Sequence, residues 1–256
     1  MALVTGASSG IGRAFARRLA ALGYDLIAVG RRRERLDALS AEFPDSEVRP
    51  VVADLGTDDG AAAVADLCGR EAISLLVNNA GVAHYTSFTN LSAGKASELL
   101  HVKVVAPTML ARAVAPGMVA RRGGTIINVS GMLAFGATAP LGQMPGRAVY
   151  VASLAHIIAL SQALHEELKA QGLKVQALCP GIVATEFHER QGMDLSAIPR
   201  MSADDVVTAS LRSLELGEVI CAPGVERSGL LDAVFQASLS VFGAQSPHLA
   251  KRYQEP

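Results

Sequence analysis

Half of the 256 residues are apolar and 18% are charged, which allows a large core and excludes a disordered chain. The net charge of −1 gives no electrostatic basis for binding nucleic acid or an anionic membrane surface. Three isolated cysteines, Cys68, Cys179 and Cys221, predict buried thiols in a reducing compartment and exclude a disulfide framework.

Apolar runs alternate with helical patterns along the chain. Strands are predicted at 2–5, 25–29, 48–53, 73–77, 125–129, 175–178 and 218–221. Helices are predicted at 13–22, 32–43, 58–68, 91–119 (kinked or ended by Pro107 and Pro116), 146–171 and 203–216. Because no signal segment precedes the first strand and no apolar run reaches about 18 residues, we expect a cytoplasmic protein without membrane insertion.

The predicted strands are apolar throughout rather than alternating, which is typical of a parallel sheet covered by helices on both faces. Right-handed crossovers then give an α/β, doubly wound sheet of seven strands. No linker or repeat interrupts the pattern, so we predict a single domain over residues 1–256.

A glycine-rich turn, Gly6-Ala7-Ser8-Ser9-Gly10-Ile11-Gly12, lies between the first strand and the first helix. Glycines permit close approach of a ligand to the main chain, and a helix N-terminus offers N–H groups and a positive dipole end to a pyrophosphate. The spacing differs from the general dinucleotide fingerprint. Taken alone, the turn also fits a simple strand-to-helix connection.

The second strand ends in Gly30-Arg31-Arg32-Arg33, where an acid would bind a free ribose 2′-hydroxyl. Arginines instead suit a 2′-phosphate through charge-assisted bonds. We therefore favour NADP(H) over NAD(H), with Arg31 and Arg32 as ligands. The alternative is a solvated charge run at a helix start.

Four motifs in order, Thr5–Gly12, Asp54-Leu55, Asn78-Asn79-Ala80-Gly81 and Cys179–Thr185, resemble those of the short-chain dehydrogenase/reductase family. The resemblance implies a Rossmann-like domain in a homodimer or homotetramer. Residues 1–130 would mainly bind nucleotide, and residues 131–256 would supply the active-site helix, a substrate loop at 185–200 and a C-terminal helix. The implied cofactor ligands are Gly6, Ser8, Ser9, Gly10, Ile11, Gly12, Asp54, Leu55, Asn79, Ala80, Gly81, Pro180, Gly181, Val183 and Thr185.

The family's catalytic group is Asn, Ser, Tyr and Lys, and this chain departs from it at three positions. Tyr150 matches the tyrosine that transfers the proton, but Leu154 stands where the lysine would lower its pKa and bind the ribose. Gly131 stands at the serine, and Ser130, one residue earlier on a strand, would point to the opposite face. Lys103 stands at the asparagine. The candidate catalytic residues are Tyr150, Lys103 and Ser130.

Lys103 suggests that the ammonium group has moved to a neighbouring helix, where it would face Tyr150. The alternative is a surface or tetramer-contact lysine. The lengthened segment 131–149 could supply a replacement hydrogen bond from Thr138 or Gln143, or form a lid. His84 is a weaker candidate for substrate contact, and no residue set has metal-ligand spacing.

An unperturbed tyrosine is about 4 kcal/mol from its phenolate at pH 7, so a site without the lysine favours proton donation. We predict NADP(H)-dependent reduction of a carbonyl on an apolar small molecule, of secondary-metabolite or lipid type, with Tyr150 as proton donor. The alternatives are a non-redox enzyme of the same fold (cyclase, dehydratase or aldolase-like) and a non-catalytic binding protein. The apolar segment 229–243 would close a substrate pocket, pack on a subunit or lie on a membrane.

Overall fold

The computed structural model describes residues 1–44, 46–140, 142 and 144–254. These residues form two compact units, Met1–Pro223 and Gly224–Pro256. Within the larger unit, the described residues include a seven-stranded parallel sheet of order β3-β2-β1-β4-β5-β6-β7. Its strands are β1 Ala2–Thr5, β2 Leu26–Gly30, β3 Val48–Val52, β4 Leu75–Asn78, β5 Gly124–Val129, β6 Leu173–Leu178 and β7 Ile220–Cys221.

The helices of this unit flank the sheet. They are α1 Gly10–Ala21, α2 Arg33–Ala41, α3 Asp58–Arg70, α4 Ala93–Leu100, α5 Ala106–Ala120, α6 Ala148–Leu168, α7 Phe187–Arg190 and α8 Ala203–Leu216. Short 3₁₀ turns lie at Phe88–Asn90, Met132–Phe135 and Lys169–Gln171.

Alternate residues of β1 are buried in different cores, as the two-residue period of a strand requires. Val4 lies in a cluster with side chains of α1 and α8, whereas Leu3 lies in a cluster with side chains of α3 and α5. Strand β1 pairs in parallel with both β2 and β4, so the strand order reverses there. The predicted fold class, a doubly wound parallel sheet in a single domain, is confirmed. In such sheets the ligand crevice lies at this reversal.

The helical stretch predicted at 91–119 is interrupted by a π-turn at His101–Val105. Pro107 lies in the first turn of α5, where a missing N–H is tolerated. Pro116 lies inside α5, which continues to Ala120, so this proline does not end the helix, and the alternative that it kinks the helix stays a prediction. The π-turn buries Lys103.

Two helical stretches, Ala93–Ala120 and Ala148–Gln171, are long and apolar enough to cross a membrane by length and composition. The expectation that no stretch reaches this length is therefore wrong. Buried side chains such as Leu110, and partly buried ones such as Leu164, join the cluster that covers the sheet. Core helices of globular proteins pass the same test.

The smaller unit contains α9 Gly229–Gly243 and a 3₁₀ turn at Lys251–Tyr253. The C-terminal helix predicted from the apolar spacing at 229–243 is confirmed. Its role as a pocket cover, a subunit contact or a membrane contact stays a prediction.

Candidate functional site

A cavity of about 720 Å³ opens at the carboxyl ends of the strands. Tyr150, Lys103 and Ser130 line it together with nearly all of the predicted cofactor ligands. Gly12 is the exception among those ligands, because it faces the Gly6 carbonyl and the Asn79 amide rather than the cavity. The ligands that line the cavity are Gly6, Ser8, Ser9, Gly10, Ile11, Arg31, Arg32, Asp54, Leu55, Asn79, Ala80, Gly81, Pro180, Gly181, Val183 and Thr185.

The glycine turn has the geometry of a phosphate cradle. Gly6 and Gly10 have φ of +66° and +53°, conformations that favour glycine. A Cβ on Gly12 would lie 2.3 Å from the Gly6 carbonyl oxygen, so this position excludes any larger residue. Helix α1 begins at Gly10 and turns its N-terminus toward the cavity. A dinucleotide pyrophosphate fits these features.

Side-chain hydrogen bonds join this turn to the end of β4. The Thr5 hydroxyl oxygen accepts hydrogen bonds from the main-chain N–H groups of Asn79 (2.9 Å) and Ala80 (3.0 Å). The Asn79 amide donates back to the Thr5 carbonyl at 2.9 Å. The turn Asn79-Ala80-Gly81 is thereby fixed at the point where β1 and β4 diverge.

The arginines after β2 form the basic end of the cavity. Arg32 donates to the hydroxyls of Ser8 (3.0 Å) and Ser9 (2.8 Å) and lies 2.7 Å from the Glu186 carboxylate. Arg35 lies 2.8 Å from the same carboxylate. Burial alone would raise the pKa of Glu186, but hydrogen bonds from Arg35, Arg32 and Ser9 together lower it to about 2.

This contact was not predicted from the sequence. Arg35 and Glu186 are 151 residues apart, so no local pattern could reveal their pairing. Arg31, by contrast, lies 3.7 Å from Asp54 and 3.5 Å from Glu98. The two predicted arginine ligands therefore have different partners, and Arg32 is the one beside the glycine turn.

Tyr150 lies in the first turn of α6 and is almost fully buried. Its ring meets that of Tyr85 edge to face, with centroids 5.6 Å apart, and lies 6.4 Å from the ring of Phe187. Burial raises the pKa of Tyr150, and the charge and the hydrogen bond of Tyr85 raise it further. Tyr150 is therefore a neutral phenol at physiological pH.

Gly131 and Leu154, which stand at the positions where the resemblance implies a serine and a lysine, both line this side of the cavity. A Cβ on Gly131 would lie 3.4 Å from Leu154 Cδ1. The Ser130 hydroxyl donates to the Leu154 carbonyl at 2.8 Å in the interior, so it holds helix α6 in place. The structure thus shows a positioning contact for Ser130, and its catalytic role stays a prediction.

Lys103 is a buried lysine, only 5% exposed, and not a surface residue. Its ammonium group donates to the Val129 carbonyl at 2.9 Å. Burial lowers its pKa to about 8, and the charge of Cys179 opposes this shift. The ammonium group also lies 3.5 Å from where a Cβ on Gly81 would stand. The hydrogen-bond partner shown for Lys103 is thus the Val129 carbonyl, and its pairing with Tyr150 stays a prediction.

The weaker candidates have distinct placements. His84 lines the cavity, has a left-handed φ of 48°, and bonds the Glu98 carboxylate through Nε2 at 2.7 Å. Thr138 is exposed, and Gln143 lies outside the described residues. Among the residues with described placement, no group of three His, Cys, Asp or Glu could hold a metal ion.

Comparison with known proteins identifies the family. A family model described as short chain dehydrogenase matches residues 1–195. The very-long-chain 3-oxoacyl-CoA reductase-like protein of Arabidopsis thaliana is 33% identical over 229 residues, covering 87% of this chain and 72% of the relative. Across four such relatives, the covered share of the relative's own length ranges from 56% to 72%.

Solved structures resemble the whole chain. A short-chain dehydrogenase from Sphingobium yanoikuyae in complex with NADPH has a TM-score of 0.92 and 35% identity, covering 98% of this chain and 99% of its own. The bulky-bulky ketone specific alcohol dehydrogenase from Comamonas testosteroni has a TM-score of 0.88 and 29% identity, covering 99% and 98%. This chain therefore belongs to the short-chain dehydrogenase family.

Proposed function

We propose that this protein is an NADP(H)-dependent oxidoreductase that reduces a ketone on an apolar small molecule. The observation that carries the proposal is the neutral, buried phenol of Tyr150 in the same cavity as the glycine turn and Arg32. Two similar structures support it, since one was solved in complex with NADPH and the other is a bulky-bulky ketone specific alcohol dehydrogenase.

Bound NADPH would supply a hydride. The glycine turn would hold its pyrophosphate, and Arg32 with Ser9 would hold its 2′-phosphate through charge-assisted hydrogen bonds. Ser9 precedes α1 without capping the helix through its side chain, which leaves its hydroxyl available to a ligand. Because the carboxylate of Glu186 now bonds these groups, the phosphate would have to displace it.

Tyr150 would donate the proton to the substrate oxygen. Alcohol oxidation needs a base, and every influence on Tyr150 raises its pKa, so its phenolate is strongly disfavoured. Ketone reduction needs a donor, which a neutral phenol already is. The reduction direction therefore suits this site.

Lys103 would take over one of the two roles of the missing family lysine. Its ammonium group lies beside Gly81, in the turn that resembles the family's ribose-binding segment, and its bond to Val129 holds it at the cavity floor. We propose that it donates to a ribose hydroxyl of the cofactor. The other role, lowering the pKa of Tyr150, would be absent.

The substrate end of the cavity is aromatic. Tyr85, Tyr150, Phe187 and His188 form a chain of ring contacts, with His188 stacked on Tyr85 at 6.3 Å. These surfaces suit the apolar groups flanking a ketone, in a secondary-metabolite or lipid-like substrate. A cytoplasmic homodimer or homotetramer completes the proposal.

A non-redox reaction is the second candidate. The apolar side chain of Leu154 and the lack of a side chain at Gly131 favour it, since the resemblance implies a lysine and a serine at these two positions. In that case Tyr150 would act as a general acid on a substrate held beside the rings.

Fluorescence titration with NADPH and NADH, followed by the nicotinamide absorbance with a panel of bulky ketones, tests the proposal. We expect tighter binding of NADPH and consumption of NADPH that Tyr150→Phe abolishes. Product formed without consumption of NADPH would establish the non-redox candidate. Absence of binding to either nucleotide would refute the reductase.

A further inference from the structure

The family's serine position offers no hydroxyl beside Tyr150. Gly131 has no side chain, and a Cβ there would face Leu154. The neighbouring Ser130 hydroxyl bonds the Leu154 carbonyl at 2.8 Å in the interior. A carbonyl oxygen bound at Tyr150 therefore needs a second donor from another element.

Tyr85 brings a hydroxyl to this place from the segment after β4. It lines the cavity with Tyr150, and the two rings meet at an interplanar angle of 76°. Burial raises the pKa of Tyr85, as it does that of Tyr150, so both groups are neutral phenols that can donate a hydrogen bond to a bound oxygen.

The ring of Tyr85 is also held in place. His188 stacks on it at an interplanar angle of 13°, and Phe187 meets His188 edge to face at 5.3 Å. Two phenol rings from separate elements, the segment after β4 and the start of α6, therefore meet edge to face in the cavity. A preorganised pair of donors of this kind stabilises negative charge that develops on an oxygen.

We propose that Tyr85 is a catalytic residue that hydrogen-bonds the substrate carbonyl oxygen, in the place of the family's serine. The proposal rests on the proposed ketone reduction. The carbonyl carbon gains a hydride from NADPH, its oxygen gains the proton of Tyr150, and Tyr150 recovers a proton from water. Tyr85 keeps its own proton and stabilises the developing charge.

Tyr85→Phe separates this role from packing, because it removes the hydroxyl and keeps the ring. With NADPH and propiophenone we expect kcat to fall about 100-fold, the loss typical of one oxyanion donor, with little change in KM. Tyr24→Phe is the matched control, since Tyr24 packs in the core cluster around α1. Retention of more than about a third of kcat by Tyr85→Phe would overturn the proposal.

A rescue variant excludes a merely structural effect. In Tyr85→Phe/Gly131→Ser, the added Cβ lies 3.4 Å from the flexible end of Leu154 and 3.7 Å from the Pro180 carbonyl oxygen, an ordinary contact distance, so the family's serine can be accommodated. We expect it to recover about tenfold in kcat over Tyr85→Phe, since the new hydroxyl replaces the lost donor. No recovery, with unchanged NADPH affinity and thermal stability, counts against the proposal.

A binding measurement keeps this test independent of turnover. Binding of 2,2,2-trifluoroacetophenone with NADP⁺ present is followed by its ¹⁹F resonance. We expect Tyr85→Phe to weaken this binding about tenfold, as loss of one well-placed hydrogen bond would. If the wild type reduces no ketone but shows this difference, the reductase proposal fails and Tyr85 stands as an oxygen ligand. Equal affinity of the wild type and Tyr85→Phe for trifluoroacetophenone would refute the proposed role of Tyr85.

Discussion

Replacing Glu186 by glutamine should tighten the binding of nucleotides that carry a 2′-phosphate. In the free protein the Glu186 carboxylate bonds Arg32 and Arg35 at 2.7 and 2.8 Å. These are the groups that a 2′-phosphate would use, together with Ser9. A carboxylate and a phosphate cannot share them without repulsion, so the nucleotide must first displace Glu186.

The depressed pKa of Glu186 sets the size of the effect. A change from 4.5 to about 2 corresponds to about 3 kcal/mol of favourable interaction. The side chain is 26% exposed, and solvent screening reduces this to roughly 1–2 kcal/mol. Glu186→Gln should therefore tighten binding about tenfold. Because the folded pKa is lowered, this stabilisation is fully present above pH 4.5 and is lost as the pH falls toward 2.

Calorimetric titration with adenosine 2′,5′-bisphosphate measures the effect, and 5′-AMP is the ligand control because it lacks the 2′-phosphate. Glu189→Gln is the matched protein control, since Glu189 is exposed on α7, the short helix that begins directly after Glu186. We expect about tenfold tighter bisphosphate binding in Glu186→Gln only, with 5′-AMP unchanged. A change below twofold, or weaker binding, would show that Glu186 does not compete with the phosphate.

Three further changes test the rest of the site. Lys103→Met should raise the urea midpoint at pH 7, because burying this ammonium group costs roughly 3 kcal/mol. It should also abolish the rise in stability that we expect between about pH 8 and 10.5, where the unfolded chain binds more protons than the folded chain. The control variant Lys95→Met, at an exposed lysine, should show neither effect. Ser130→Ala should cost about 1 kcal/mol in urea unfolding, because it removes a buried hydrogen bond to the Leu154 carbonyl, and it should lower kcat less than tenfold; a larger loss of kcat would favour a catalytic Ser130. Gly12→Ala should abolish NADPH binding measured by fluorescence, since its Cβ would lie 2.3 Å from a backbone oxygen, whereas Gly69→Ala meets open space and should bind normally.

The parts of the site that sequence reasoning placed correctly are those at strand ends. The glycine turn follows β1, the Asn79-Ala80-Gly81 turn follows β4, and Pro180 follows β6. Carboxyl ends of parallel strands lie at one edge of the sheet, so a strand assignment alone brings these segments together. Continuous apolar runs were sufficient for that assignment.

The contacts that were missed join irregular segments or segments far apart in the chain. Glu186 meets Arg35 across 151 residues, and only the fold brings them together. Tyr85 lies in a connection without helix or strand, where side-chain direction follows no period. The apolar pattern gives no sign of the π-turn that buries Lys103. The helix predicted from that pattern therefore could not show in which direction the Lys103 side chain points.

The departures from the family pattern form one coherent change in electrostatics. A lysine at Leu154 would lower the pKa of Tyr150, whereas burial raises it in this chain. The buried ammonium of Lys103 donates to the Val129 carbonyl, and we expect its charge to stabilise bound cofactor rather than a phenolate. A site arranged in this way should reduce ketones far faster than it oxidises alcohols. The ratio of the two rates should therefore fall in Leu154→Lys, because that variant alone restores a cation one helical turn from Tyr150.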